Sequence, residues 1–507
     1  MKRMIGLRVV CLSVALLLCG VTARPAASQT EPASQTAPSA ARHTIPALLV
    51  SDIHFDPFHD PGKAARLVDA PASEWNAILA EPPSPDQATA FAALQQRCGA
   101  RGVDSSYALF ESSLTAARKE APDARFITVS GDLVVHNFPC RFAALAPGKT
   151  QSDYAAFVAK TIAYVTAELR HAFPGVPVYV ALGNNDSGCG DNRLDGGSDF
   201  LAAVGKDIVA GLPGTMSSKE RANALADFTA TGSYNVRMAA PMRNTRMVVL
   251  DDLFMLTQYA TCGDKPDRSV AIAQIKWLRT QLDEARRHKQ RVWVMAHIPP
   301  GVDIYSTFAK MRNVCGGDAS AMFLSSDALG DVLTEYADVV RLAIFAHTHM
   351  DELRLLQPGG GVQGATSTKG AQRGAVAVKM VASISPVNGN NPSFTVGRVN
   401  TASATLADYA VFAASNKTGV DTAWSKEYDY GATYHASAVS AVALGKLVGE
   451  FRGDPDATTA ASQAYIRNFL VGDRSSLIKP LWPQYVCGMS QDTAKGFAGC
   501  VCSQTLR

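Results

Sequence analysis

Residues 45–57 read Ile-Pro-Ala-Leu-Leu-Val-Ser-Asp-Ile-His-Phe-Asp-Pro, an apolar run that breaks off at an Asp-x-His pair. The run Ile45–Ser51 is short and shows no polar alternation, which predicts a strand buried on both faces. Asp52-Ile-His54 then falls at the carboxyl end of that strand, where open α/β sheets gather their ligands. The same arrangement returns four times along the chain. Phe126–Ser130 runs into Gly131-Asp132, and Val176–Leu182 into Gly183-Asn184-Asn185-Asp186. Val292–Ala296 runs into His297, and Ala343–Phe345 into Ala346-His347-Thr348-His349. Met247–Leu250 is a further strand candidate, and Val376–Val399 is rich in β-formers.

Helical periods lie between the strands. Tyr154, Phe157, Val158, Ile162, Val165 and Leu169 form one apolar stripe; Ala271, Ile275, Leu278, Leu282 and Ala285 form another. Strands interleaved with helices predict an α/β fold, with two sheets forming a β-sandwich flanked by helices. From about residue 404 the pattern turns helical, with Leu444, Leu447, Val448 and Phe451 on one face. The expected organisation is a main α/β domain over 43–403 and a helical, cysteine-bearing C-terminal subdomain over 404–507. With 47% hydrophobic residues and a mean hydropathy of +0.01, the 507-residue chain has ample material for a large core.

Residues 1–23 read as a signal peptide, with Lys2, Arg3 and Arg8 before the apolar run Val9–Val21 and small residues at Val21-Thr22-Ala23. A membrane anchor is the competing reading. Lipid attachment at Cys19 is disfavoured by the leucines that precede it. Residues 24–42 are Ala-, Ser-, Thr-, Gln- and Pro-rich and read as a flexible tether. No second stretch is long and apolar enough for a membrane span. Without the leader, 45 basic side chains face 45 acidic ones. That neutrality argues against a nucleic-acid polymer as partner, and against a nuclease acting on one. Eight cysteines remain, an even number without C-x₂-C pairs, which predicts disulfides rather than a thiolate zinc site. Export to the periplasm or the medium follows, as a monomer. Asn416-Lys417-Thr418 fits a glycosylation acceptor.

Aspartate, histidine and asparagine supply the oxygen and nitrogen donors that suit zinc, iron or manganese. Asp52 and His54 are two apart, as are His347 and His349; on extended backbone such pairs face one way. Asp132 is the natural carboxylate to bridge two metals. A lone buried histidine is ordinarily a hydrogen-bonded core residue, but four of the ten histidines sit in these strand-end motifs.

In order and spacing these motifs resemble the calcineurin-like metallophosphoesterase superfamily, with its D-x-H, G-D, G-N-H-D/E, lone H and G-H-x-H. Ser51–Pro57, His136 four residues after Asp132, Ser385–Val396 (Ser-Pro-Val-Asn-Gly-Asn-Asn-Pro-Ser-Phe-Thr-Val) and the cysteine-bearing tail narrow the resemblance to acid sphingomyelinase-like phosphodiesterases. It spans about residues 45–502. It implies two divalent metal ions, zinc in this branch, activating a water that attacks phosphorus. One metal would be held by Asp52, His54, Asp132 and His349, the second by Asp132, Asn184, His297 and His347. Purple acid phosphatases have D-x-G and a tyrosine where this chain has His54 and Val135, which disfavours a tyrosinate–iron site. The tail's resemblance implies a Cys487–Cys500 disulfide; Cys262 with Cys315, flanking the loop around His297, is the next expectation.

One departure bears on catalysis. Asn185 stands where the family has a histidine, and an amide donates a hydrogen bond but shuttles no proton. His136 is the remaining imidazole, either as proton donor or as a residue that orients a ligand. Acid sphingomyelinase also carries a cysteine-rich saposin domain ahead of its catalytic part, where this chain has a cysteine-free tether. A small soluble phosphodiester, a nucleotide or a choline-type headgroup is therefore expected as substrate ahead of bilayer sphingomyelin, although the C-terminal helices leave lipid open. The rival to a hydrolase is a secreted, metal-bound binding protein on the same fold.

Overall fold

The computed structural model describes residues 43–358, 374–415, 423–472 and 478–504. The expected leader (1–23), the tether (24–42) and the Asn416 triplet lie outside them. In chain order the strands are β1 (Thr44–Val50), β2 (Ile127–Ser130), β3 (Val178–Ala181), β4 (Tyr234–Arg237), β5 (Thr245–Val249) and β6 (Arg291–Met295). They continue with β7 (Val340–Phe345), β8 (Glu352–Leu356), β9 (Val376–Met380), β10 (Ser393–Asn400), β11 (Leu406–Ala413) and β12 (Ser425–Asp429). They form two six-stranded mixed sheets, β12-β11-β10-β1-β2-β3 and β4-β5-β6-β7-β9-β8.

Within each sheet the motif-bearing strands are parallel neighbours. β1, β2 and β3 pair in parallel, as do β5, β6 and β7. Their carboxyl ends therefore lie at one edge of each sheet, and β2 and β3 are buried at every residue. Between the sheets, Trp293 of β6 meets Phe126 edge to face at 5.6 Å. The edge strand β3 does not end in bare backbone: the Tyr234 hydroxyl accepts from the Val180 N–H at 2.8 Å and donates to its carbonyl at 3.0 Å.

Both predicted helical stripes face inward. The first lies on the helix Gln151–Ala172, with all six stripe residues buried, opened by a Thr150–Asp153 capping box. The second lies on Ser269–Arg287, with Leu278, Leu282 and Ala285 buried. In the tail, Leu444, Leu447, Val448 and Phe451 are the buried face of Ala441–Arg452. Helical structure starts later than expected, at Tyr430, because β11 and β12 extend the first sheet outward from β10. Behind them, the buried Lys379 of β9 pairs with Asp351, whose other oxygen accepts from Tyr428 of β12 at 2.6 Å. Among the described residues no helix is long and apolar enough to cross a membrane.

All eight cysteines among the described residues pair: Cys98–Cys140, Cys189–Cys262, Cys315–Cys502 and Cys487–Cys500. The Cys487–Cys500 expectation holds. Cys262–Cys315 does not, for a topological reason. The loop after β3 pairs with the 260 segment (Arg193 with Ala260), bringing Cys189 beside Cys262. Cys315 packs instead on the final helix, Ala494–Gln504, which carries Cys502.

Candidate metal centre

The strand-end loops keep pairing after the strands stop. The Asp52 N–H donates to the Gly131 carbonyl and the His54 N–H to the Asp132 carbonyl, both at 3.0 Å; the Ala346 N–H donates to the His297 carbonyl at 2.8 Å. Along these loops Asp52, His54, Asp132, His347 and His349 adopt φ of 45°, 43°, 53°, 71° and 67°. Left-handed backbone at residues other than glycine costs roughly 1–3 kcal/mol each, and such strain concentrates at functional sites. The Asp52/His54 and His347/His349 pairs thus share a cavity because each member is left-handed, not because the backbone is extended.

Two glycines are required by contact. A Cβ on Gly131 would stand 2.6 Å from His297 Nδ1, and one on Gly183 would stand 2.1 Å from Asp132 Oδ1.

Two clusters of donors result, joined through Asp132. In the first, His54 Nε2 lies 3.2 Å from His349 Nε2, 3.5 Å from Asp132 Oδ2 and 3.8 Å from Asp52 Oδ1; His349 Nε2 lies 3.5 Å from Asp52 Oδ1. In the second, His297 Nε2 lies 3.2 Å from Asp132 Oδ2 and 3.3 Å from His347 Nδ1. Nitrogen and oxygen ligands about 2.0–2.1 Å from one ion stand roughly 3.0–3.4 Å apart; the separations of 3.2 to 3.5 Å lie in or near that range, and only the His54–Asp52 distance of 3.8 Å is clearly wider. The tautomers agree. His54 Nδ1 lies 2.9 Å from the Val134 carbonyl and His297 Nδ1 lies 2.8 Å from the Ser130 carbonyl, bonds that engage Nδ1–H and leave each Nε2 facing inward.

The residues fit such ions on a further count. Both Asp52 oxygens and Asn184 Oδ1 are buried without a hydrogen-bond partner. A buried carboxylate in that condition is costly unless a cation meets it. Burial, together with the Asp132 charge, raises Asp52 to about 7. Burial also lowers His54 to about 4 and His347 to about 3, keeping both imidazoles neutral as coordination requires. For His297 burial is outweighed by Asp132, which lifts it to about 10.

His136 sits beside the first cluster, its ring stacked on His54 at 3.9 Å with 32% of the side chain exposed. Burial opposes its charge, but the facing Asp104 carboxylate raises it to about 9. Asn185 turns inward: its N–H donates to Asp132 Oδ1 at 2.9 Å and its Nδ2 to Oδ2 at 2.7 Å.

Three supporting carboxylates were given no role from sequence, although Asp186 closes the Gly183–Asp186 motif. Asp186 accepts from the Leu133, Val134 and Gly183 N–H groups, binding the β2 and β3 loops together. Asp252 accepts from the His297 and Ile298 N–H groups. Its place just past β5 repeats the strand-end pattern and was the available signal. Asp104, in the loop before the helix Tyr107–Glu120, had no local signal.

With this geometry in place, the family model for calcineurin-like phosphoesterases matches residues 45–351. The chain belongs to the calcineurin-like phosphoesterase family. Its buried His/Asp clusters are of the kind that holds a dimetal site in this family. Distant homologues are acid sphingomyelinase-like phosphodiesterases. Human "Acid sphingomyelinase-like phosphodiesterase 3b" is 25% identical, over 78% of this chain and 80% of its own. Human "Cyclic GMP-AMP phosphodiesterase SMPDL3A" is 23% identical over 82% of each chain. "Sphingomyelinase phosphodiesterase C" of Dictyostelium discoideum is 24% identical over 66% of this chain and 70% of its own.

Proposed function

We propose that the protein is an exported dimetal phosphodiesterase that hydrolyses small phosphodiesters. The observation that carries the reading is the meeting of two donor clusters at Asp132, with both Asp52 oxygens buried without a hydrogen-bond partner. Asp52, His54, Asp132 and His349 would hold one divalent ion, and Asp132, Asn184, His297 and His347 the other. Such a pair, zinc by resemblance with iron or manganese as alternatives, supplies charge neutralisation and an activated water for phosphoester cleavage.

The chain's own residues do the remaining work. Asp132 is held square by both donors of Asn185, so Asn185 acts here as an orienting group for the shared ligand. His136 gives the Nε2 proton to the departing oxygen as the P–O bond breaks and keeps its Nδ1–H toward Asp104. The four disulfides support an oxidising compartment outside the cytoplasm. The relatives' names support a diester substrate: a nucleotide, a choline-type headgroup or a sphingomyelin-like lipid.

The rival, a metal-bound binding protein without turnover, draws on Asn185, which removes a proton donor from the family pattern. Bis(p-nitrophenyl) phosphate and p-nitrophenyl phosphate, run side by side on the purified protein, decide between the readings. Diester turnover well above monoester turnover is expected. A strong monoester preference would overturn the diesterase assignment, and no turnover of either with metals bound would favour the binding protein.

A further inference from the structure

The two donor clusters do not account for the Ser385–Val396 motif or for the burial of Asp104. Asp104 reaches the centre through backbone pairing. The Ser105 N–H donates to the His54 carbonyl at 3.2 Å, and the Asp56 N–H to the Ser105 carbonyl at 2.9 Å. The residue is 2% exposed, and its carboxylate gathers three donors. The His136 N–H reaches Oδ2 at 3.2 Å, His136 Nδ1 lies 3.1 Å from both oxygens, and the Ser385 hydroxyl donates to Oδ1 at 2.7 Å. With Nδ1–H engaged there, Nε2 is the free ring atom.

We infer that Asp104 and Ser385 are positioning residues that fix the tautomer and direction of His136, and that holding them is what the Ser385–Val396 motif contributes. The inference rests on His136 being the proton donor. A neutral carboxylate mimic or a missing hydroxyl would let the ring turn or present the wrong nitrogen.

The motif is built for this task. The Ser385 N–H and the Ser383 hydroxyl donate to the Asp52 carbonyl at 3.1 and 2.9 Å, so one segment steadies both the ligand loop and the Asp104 carboxylate. Asn390 Nδ2 donates to the Ser385 carbonyl at 3.0 Å. The loop ahead of Asp104 lies flush against it: a Cβ on Gly102 would stand 2.4 Å from the Val387 carbonyl oxygen. From the other side, the buried Arg141 donates Nε–H to the His136 carbonyl at 3.0 Å and pairs with Asp56 at 3.1 Å.

The test is a leaving-group comparison on the metal-loaded full chain. Asp104→Asn, Ser385→Ala, His136→Ala and the Asp104→Asn/His136→Ala double variant are assayed on two substrates. Bis(p-nitrophenyl) phosphate releases a nitrophenolate that leaves without a proton; a nucleoside- or choline-releasing diester expels an alkoxide that needs one. Asp104→Asn should lower kcat on the alkoxide diester by ~10²-fold, with KM and metal content kept and a much smaller loss on the aryl diester. Ser385→Ala, which removes one hydroxyl and spares the fold, should show the same selectivity at smaller size. In the His136→Ala background, Asp104→Asn should cost nothing more. Equal losses on both substrates, lost metal, or losses that add to those of His136→Ala would overturn the inference. If His136→Ala itself spares the alkoxide diester, the proton-donor reading fails; if it does not, and Asp104→Asn does, only the positioning claim fails.

Discussion

Gly183→Ala is a one-carbon change with a large expected effect. The new Cβ would lie 2.1 Å from Asp132 Oδ1 and 2.4 Å from the Asp132 nitrogen. Ordinary contact needs about 3.5 Å, so something must move by more than about 1 Å. Gly183 cannot withdraw easily, because its N–H is held by Asp186 Oδ2 at 2.9 Å. The Asp132 carboxylate is the part that yields, and it is the group both donor clusters share. Overpacking of this kind costs roughly 1–3 kcal/mol, and a displacement of about 1 Å at a reacting centre costs ~10² in rate. Metal content, denaturant midpoint and kcat/KM on bis(p-nitrophenyl) phosphate should all fall. Gly214→Ala is the control, since a Cβ there meets nothing within 4 Å. A Gly183→Ala protein with unchanged metal content and activity would refute the claim that this close approach sets Asp132.

Asn185→His should keep diesterase activity and raise it on poor leaving groups or leave it alone, because an imidazole N–H can replace the Nδ2 bond to Asp132; abolished turnover would show that the family's histidine cannot serve beside this Asp132. Removing the buried Lys379 as Lys379→Met strands the Asp351 carboxylate and should cost about 3–5 kcal/mol of stability in a denaturant titration; a loss under about 1 kcal/mol would contradict it. Replacing Cys315 and Cys502 together by serine should lower stability by roughly 2–5 kcal/mol while unreduced peptide mapping still finds Cys189–Cys262 and Cys487–Cys500. Finding Cys262 joined to Cys315 in the native protein would contradict the described pairing.

Much of the centre was legible because each candidate ligand follows an apolar strand, and strand ends are local features. Asp52, His54, Asp132, His297, His347 and His349 come together as their positions after β1, β2, β6 and β7 imply. What could not be read is non-local. Asp104 matters only because Phe55 bridges Ser105, a pairing across 50 residues of sequence that no local pattern announces. The left-handed backbone at five candidate ligand positions goes with loop-to-loop hydrogen bonds, where extended backbone was expected from the two-residue spacing. Leu406–Ala413 alternates weakly, with intermediate residues among buried ones, because β11 sits near the outer edge of its sheet. That weak signal let a helical tail be read 26 residues early, at 404 rather than Tyr430.

Two metal ions organised around Asp132 are what the proposed diesterase activity depends on. Elemental analysis of the purified protein, coupled to a diesterase assay before and after chelation, tests that dependence most directly. About two equivalents of divalent transition metal per chain are expected, with activity lost as metal is stripped and regained on reloading, and with Asp132→Ala holding less metal than any other single-ligand variant. Full activity in protein stripped of metal would contradict two-metal catalysis.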